Sequence, residues 1–217
     1  MFSTEAQHKA LVAAFHGGSP LTYKKGEFII RPGDTPSGVF YIQEGLVKAY
    51  DITKYGEENL LIIRKQNEVF PLIWSITGQG RHIIYQALSD VKVYRLDQKK
   101  FQDLLRDKPA LQAPFMDIVF EMYRIHSERI MNLEYRTVRE RLISFLLIMA
   151  NRFGTKHDLG TCIMAPLKQQ DIASSINATR ETTGRELAQL ARKGLIVNQE
   201  GHIIIKDVQK LHDILEP

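Results

Sequence analysis

Three polar side chains at the start of one predicted helix could bind the edges of DNA bases. Arg180, Glu181 and Arg185 follow Thr179 in the string TRETTGR, so they share the exposed N-terminal turns of that helix. An arginine can donate two hydrogen bonds to guanine in the major groove, and a glutamate can accept one from the amino group of cytosine. This chemistry indicates base recognition rather than catalysis.

The residues around this trio predict two short helices joined by a tight turn. Apolar or small positions recur at helical spacing, and the inward-facing set is Ile172, Ile176, Thr183, Leu187 and Leu190. Asn177 tolerates the left-handed conformation that such a turn needs, Thr179 suits an N-cap, and Gly194 suits a helix stop. Gly184 has no side chain, and we expect this to allow close approach to DNA.

A β-hairpin is predicted directly after the second helix. The apolar runs at residues 195–197 and 202–205 flank a turn that contains Gly201, which makes the unit a winged helix-turn-helix. The alternative is a small helical domain with a charged, solvated face. Net charge does not separate the two interpretations, because residues 167–217 carry seven basic and seven acidic side chains.

The whole chain resembles the transcription regulators of the cyclic-AMP receptor protein/FNR (Crp/Fnr) family. The resemblance rests on the string RETTGR at residues 180–185 and on the pattern Lys-Gly-Glu, Pro-Gly-Asp and Tyr-Ile-Gln-Glu-Gly between residues 25 and 45. It implies that Arg180 and Arg185 pair with guanines, and Glu181 with a cytosine, in a TGTGA-type half-site.

Short β patterns separated by glycine turns occupy residues 20–100, which is typical of a small antiparallel barrel or roll. The predicted strands are residues 28–30, 39–42, 46–50, 59–63, 83–85 and 91–96. In the family that the chain resembles, this region is a cyclic-nucleotide-binding-type β-roll. We therefore predict an α+β protein with a β-roll effector domain over residues 1–110. A dimerisation helix over 111–136 and a winged helix-turn-helix DNA-binding domain over 137–217 complete the chain.

The predicted long helix carries an apolar stripe, formed by Phe115, Ile118, Met122, Ile125, Ile130 and Leu133. By resemblance, this stripe is the seam of a coiled-coil homodimer. The alternative is that it packs only on the chain's own roll. Arg129 interrupts the stripe and marks either a point where the two helices separate or a site for an acidic group.

A homodimer would present two recognition helices to double-stranded DNA. Its half-sites would form an inverted repeat, spaced about 34 Å apart. Phosphate contacts set the register of such a complex but not its sequence, and the candidates are Lys168, Gln169, Gln170 and Thr179. The resemblance also implies an RNA polymerase contact at a loop around residues 156–162. The alternative function is a ligand sensor or interaction protein with no specific DNA binding.

The effector region departs from the pattern of the cyclic-AMP-binding members. Those members have a Gly-Glu pair and an Arg-Ser pair where this chain has Pro71-Leu72 and Arg81-His82. Leu72 cannot accept a hydrogen bond from a ribose hydroxyl, and Pro71 has no backbone N–H. We expect control other than by classical cyclic AMP, through an unknown effector or with a packed roll interior. The candidate pocket residues are Leu72, Trp74, Arg81, His82, His126 and Ser127.

Composition limits the remaining possibilities. The chain has 44% hydrophobic and 25% charged residues, which is typical of a globular protein. It shows no signal-peptide pattern and no apolar run of the ~20 residues needed to span a bilayer, so we expect a cytoplasmic protein with no membrane partner. A single cysteine, Cys162, is expected to be buried. Because no nucleophile–base pattern, metal-ligand cluster or phosphate-binding loop is present, we predict no enzyme activity, cofactor or metal.

Overall fold

A computed structural model describes residues 2–80 and 82–215. The chain divides into two compact units, the first containing Met1–Ile52 and Leu61–Arg124 and the second Thr53–Leu60 and Ile125–Pro217. The α-helices are α1 (Glu5–His16), α2 (Leu72–Thr77), α3 (Gln98–Asp107), α4 (Gln112–Tyr135), α5 (Val138–Phe153), α6 (Gln169–Ser175), α7 (Arg180–Arg192) and α8 (Val208–Leu215).

Two antiparallel four-stranded sheets form the β-roll that the sequence predicts. Their strands are β1 (Ser19–Tyr23), β2 (Phe28–Ile30), β3 (Val39–Glu44), β4 (Val47–Ile52), β5 (Glu58–Arg64), β6 (Val69–Phe70), β7 (Ile84–Ala87) and β8 (Val91–Leu96). One sheet has the order β1-β8-β3-β6 and the other β2-β7-β4-β5. Sequence reasoning missed β1 and β6; β6 has only two residues, too few to show alternation.

Aromatic rings occupy the space between the two sheets. Phe70 stacks on Phe40 at 5.2 Å and on Tyr85 of the opposite sheet at 4.8 Å between ring centroids. Tyr41 points to the other side of β3, where its ring stacks on Phe15 of α1 at 5.3 Å. Because successive strand residues face opposite sides, β3 is buried on both faces, and this explains its continuous apolar run.

The second unit combines a helical core with a third sheet. The strands β9 (Gly154–His157), β10 (Gly160–Ile163), β11 (Ile196–Gln199) and β12 (His202–Ile205) pair in the order β11-β12-β10-β9. Thr137 begins α5 through a capping box with Glu140, and Leu142 and Leu146 of this helix are fully buried. The predicted wing corresponds to β11 and β12, whereas β9 and β10 were not predicted.

Cys162 lies in β10 and is buried and unpaired, as predicted. Among the described residues, no helix is long and apolar enough to cross a membrane.

Candidate nucleic-acid interface

The turn between α6 and α7 has the geometry that its sequence predicts. Asn177 adopts the left-handed conformation with φ 50°, and the N–H of Ala178 donates to the carbonyl of Ala173 at 3.0 Å. The hydroxyl oxygen of Thr179 accepts from the N–H of Thr182 at 3.1 Å, which confirms Thr179 as the N-cap of α7. Gly194 follows the helix with φ 72°, which confirms the predicted stop.

The inner faces of the two helices pack together in a small apolar core. Ile172, Ile176 and Leu190 are each at most 2% exposed, and Thr183 is fully buried with its hydroxyl donating to the carbonyl of Thr179. Leu187 is half-buried. The predicted inward set is therefore confirmed, and packing fixes which face of α7 is left for solvent.

The three candidate base-reading residues lie on that outer face. Arg180, Glu181 and Arg185 are all exposed within the first two turns of α7. Nη2 of Arg185 donates to the Thr182 hydroxyl oxygen at 3.2 Å, which holds the guanidinium along the helix surface. This arrangement provides donors and an acceptor at the N-terminal end of one helix, where recognition helices contact base edges.

Gln169 and Gly184 share one space between α6 and α7. A Cβ atom at Gly184 would lie 2.3 Å from Nε2 of Gln169, which donates to the carbonyl of Arg180 at 3.2 Å. A side chain at Gly184 would therefore have to displace the flexible amide group of Gln169, and close approach to DNA stays a prediction for this glycine. Since that amide nitrogen is bonded within the protein, Gln169 also links the two helices.

The other three candidate phosphate contacts lie at helix starts. Lys168 and Gln170 are exposed around the start of α6, and Thr179 is exposed at the start of α7. The N–H of Lys168 donates to Oδ2 of Asp171 at 3.1 Å, so this backbone donor already has a partner within the protein. Exposed groups at helix N-termini suit phosphate oxygens because free N–H groups and the helix dipole favour negative charge.

Two arginines on α5 support the helix pair, and sequence reasoning missed both. Nε of Arg139 donates to Oε2 of Glu186 at 2.7 Å, and its guanidinium also bonds the side chain of Gln189, both on α7. Arg141 donates to the carbonyl oxygens of Ile176 at 2.8 Å and Asn177 at 3.3 Å. Their partners are distant in sequence, so no local spacing could have revealed them.

The segment around residues 156–162, predicted as a loop, is a tight hairpin between β9 and β10. Gly160 pairs with His157 across it, and Leu159 at its tip is 45% exposed. Four-residue strands are too short for alternation to distinguish them from a loop.

The candidate effector residues occupy several environments. Trp74 is buried in the cluster that includes Phe15, Phe101 and Phe115, and Leu72 packs against the same cluster. These two side chains therefore support the contact between helices and roll. His82 is exposed, and His126 and Ser127 are half-buried on α4. Arg81 lies outside the described residues.

The predicted dimer seam on α4 needs correction. Four of its members, Phe115, Ile118, Met122 and Ile125, are only 5–7% exposed in the single chain, and the first two belong to the core of the first unit. The alternative interpretation, packing on the chain's own fold, holds for this part of the stripe. The other two, Ile130 and Leu133, remain 58% and 38% exposed.

Two protein families match successive parts of this chain. Residues 20–108 match the cyclic nucleotide-binding domain family, and residues 140–214 match the Crp-like helix-turn-helix domain family. The global nitrogen regulator of Synechococcus elongatus is 29% identical over 185 residues, covering 84% of this chain and 83% of that protein. A CRP-like cAMP-activated global transcriptional regulator of Mycobacterium tuberculosis is 24% identical, covering 88% of this chain and 86% of its own.

Solved structures share the fold. A CooA mutant from Carboxydothermus hydrogenoformans matches with a TM-score of 0.79 at 21% identity, covering 94% of this chain and 90% of that one. FixK2 from Bradyrhizobium japonicum matches with a TM-score of 0.78 at 20% identity, covering 92% and 98%.

Proposed function

Because the chain belongs to the Crp/Fnr family of DNA-binding transcription regulators, we propose that it reads an inverted repeat of TGTGA-like half-sites as a homodimer. The observation that carries this proposal is the exposed trio at the start of α7. Arg180 and Arg185 would donate to guanines and Glu181 would accept from a cytosine. Lys168, Gln169, Gln170 and Thr179 would set the register through phosphates.

The homodimer would form along a stripe of α4 that the single chain leaves uncovered. Met116, Phe120, Tyr123 and Ile130 are 36%, 55%, 71% and 58% exposed. Together with Ser127 they alternate at four- and three-residue spacing, which is the a/d pattern of a coiled coil. Since the opposite face of α4 is already buried, a second copy of this helix is the occupant that this heptad pattern fits best.

Control by an effector other than classical cyclic AMP forms the third part of the proposal. Leu72 stands where a ribose acceptor would be needed, and its side chain packs against the apolar cluster of the first unit. Pro71 offers no N–H. The stacked rings of Phe40, Phe70 and Tyr85 also fill part of the roll interior. For RNA polymerase, the β9–β10 hairpin with exposed Leu159 is the proposed contact.

Selection of bound duplexes from a random DNA pool tests the proposal. The enriched sequences should contain TGTGA and TCACA as an inverted repeat, with half-site centres about one helical turn apart. Repeating the selection with a cell metabolite extract would show whether binding needs an effector. Failure to enrich any motif under either condition would favour the alternative, a sensor or interaction protein without specific DNA binding.

A further inference from the structure

Arg129 connects three segments of the second unit through its guanidinium. Nη1 donates to the carbonyl oxygen of Leu60 at 2.9 Å, and Nη2 donates to Oδ1 of Asn59 at 3.1 Å and to the carbonyl of Ser174 at 3.3 Å. The N–H of Leu60 separately donates to Oγ of Ser174 at 3.2 Å. The tip of the β4–β5 hairpin, helix α4 and helix α6 therefore meet at one side chain.

The surroundings make these hydrogen bonds costly to lose. Burial lowers the pKa of Arg129 from its ordinary value, because the charged form is withdrawn from water. Its acceptors are carbonyl and amide oxygens, which satisfy the fork geometry of a guanidinium. A buried charge whose partners are removed is left unpaired, and this penalty keeps the three segments together.

The position of Arg129 on α4 also explains why it interrupts an apolar stripe. It lies seven residues after Met122, on the face of α4 that is buried within the chain. It therefore points away from the exposed stripe that would form the dimer seam. Neither helix separation in a dimer nor a bound acidic group is needed to account for it.

We propose that Arg129 is a positioning residue that holds the hairpin tip, residues 53–60, against α6. A conformational change in the tip would then change the local stability of the helix-turn-helix. These contacts join the first residues of β5, next to the hairpin turn, to the helix that precedes α7. This positioning role goes beyond the proposed function, since it holds whether or not the protein binds a TGTGA site.

Amide hydrogen exchange of the full-length protein, followed by mass spectrometry, tests this inference without DNA. Asn59→Ala removes one acceptor at the hairpin tip. We expect it to raise exchange in residues 169–175 by about three- to tenfold, the effect of weakening one hydrogen-bonded contact. In an Arg129→Gln background the connection is already cut, so Asn59→Ala should produce no further rise in α6.

Further variants separate positioning from a general loss of structure. Arg129→Lys keeps an ammonium that can donate to the same carbonyls, and it should restore exchange in both segments at least halfway from the Arg129→Gln value. Arg124→Gln, a control on the same helix whose side chain pairs with Glu121, should leave both segments unchanged. If Arg129→Gln does not fold, Ser174→Ala should raise exchange at the Leu60 amide and in α6 together. Changes confined to residues 53–60 after Asn59→Ala, or after Ser174→Ala, would overturn the proposal.

Discussion

At the residue scale, the arginines of the second unit divide by where their guanidinium groups point. Arg180 and Arg185 lie exposed on α7, whereas Arg139 and Arg141 bond to α7 and to the interhelical turn. The same type of side chain can therefore be presented to solvent, where we propose that it reads bases, or hold the helix that presents it. The sequence could identify the first pair from its spacing, but it could not identify the second, whose partners come from distant segments.

Replacing either exposed arginine should weaken the recognition of a single base pair in the DNA site. Arg180→Ala and Arg185→Ala should each cost about 1–3 kcal/mol of binding free energy at the cognate site and relax specificity at one position. Fluorescence anisotropy on a panel of single-base-pair variants measures this. Unchanged discrimination at every position would show that these residues do not read bases.

Lys168→Ala provides the matched comparison, because a phosphate contact is independent of sequence. It should weaken binding to all duplexes evenly and reduce the slope of log affinity against log salt by about one unit.

At the element scale, α4 shows how far a hydrophobic pattern can be interpreted. The pattern predicted the helix and one apolar stripe, but that stripe is mostly buried within the chain, and a second stripe is exposed. Periodicity shows that a face is apolar without showing which surface covers it. The exposed stripe includes Phe120, Tyr123 and Ser127, whose mixed polarity made it hard to recognise.

Introducing a charged side chain into the exposed stripe of α4 should weaken the dimer. Phe120→Asp should raise the dimer dissociation constant at least about tenfold, since a carboxylate would have to be buried in the seam. Analytical ultracentrifugation measures the change. Tyr135→Ser, on the same helix but off the stripe and 79% exposed, should leave the dimer intact. A Phe120→Asp protein that dimerises like the parent would place the interface elsewhere.

The carboxylate of Asp117 on α4 forms hydrogen bonds with Phe2 and Ser3, and this group can titrate. Oδ1 of Asp117 accepts from the N–H of Phe2 at 2.6 Å, and Oδ2 accepts from the Ser3 hydroxyl at 2.5 Å. Burial raises the pKa of Asp117, but these hydrogen bonds, with that from the N–H of Ser3, outweigh it and hold the pKa below its ordinary value of 3.8.

The lowered pKa of Asp117 determines the direction in which the stability of the folded protein changes with pH. A carboxylate with a depressed pKa adds stability above its ordinary pKa, and that stability is lost as the pH falls through the folded-state value. Asp117→Asn should therefore lower stability to urea at about neutral pH, and the difference from the parent should shrink below pH 3.8. A difference that stays constant down to acid unfolding would contradict the assignment.

Other elements could be predicted where an apolar run in the sequence is bounded by turn residues. The strands near residues 28–30, 39–44 and 91–96 follow apolar runs bounded by turn residues, and the turn before α7 follows from Asn177 and Thr179. Short pieces such as β6 and β9 carry too few residues for periodicity. The formation of β6 depends on pairing with the distant strand β3, and that of β9 on the short hairpin that it makes with β10.

At the scale of the whole molecule, we propose that a Crp-like DNA-binding domain is combined with control other than by classical cyclic AMP. Cyclic AMP should therefore change the DNA dissociation constant by less than about twofold, because Pro71 and Leu72 lack the groups that the ligand needs. Titration of the protein–DNA complex with cyclic AMP measures this. Tightening of tenfold or more would mean that the nucleotide binds without those contacts.

The ratio of specific to non-specific DNA affinity of the purified protein is the decisive measurement of whether it reads a TGTGA inverted repeat. Dissociation constants would be measured at one fixed salt concentration for a duplex carrying the TGTGA inverted repeat and for a duplex of the same composition with both half-sites scrambled. Specific regulators bind their sites typically about 10³-fold or more tightly than other DNA, and we expect a ratio in that range for this protein. Equal affinity for the two duplexes would contradict it.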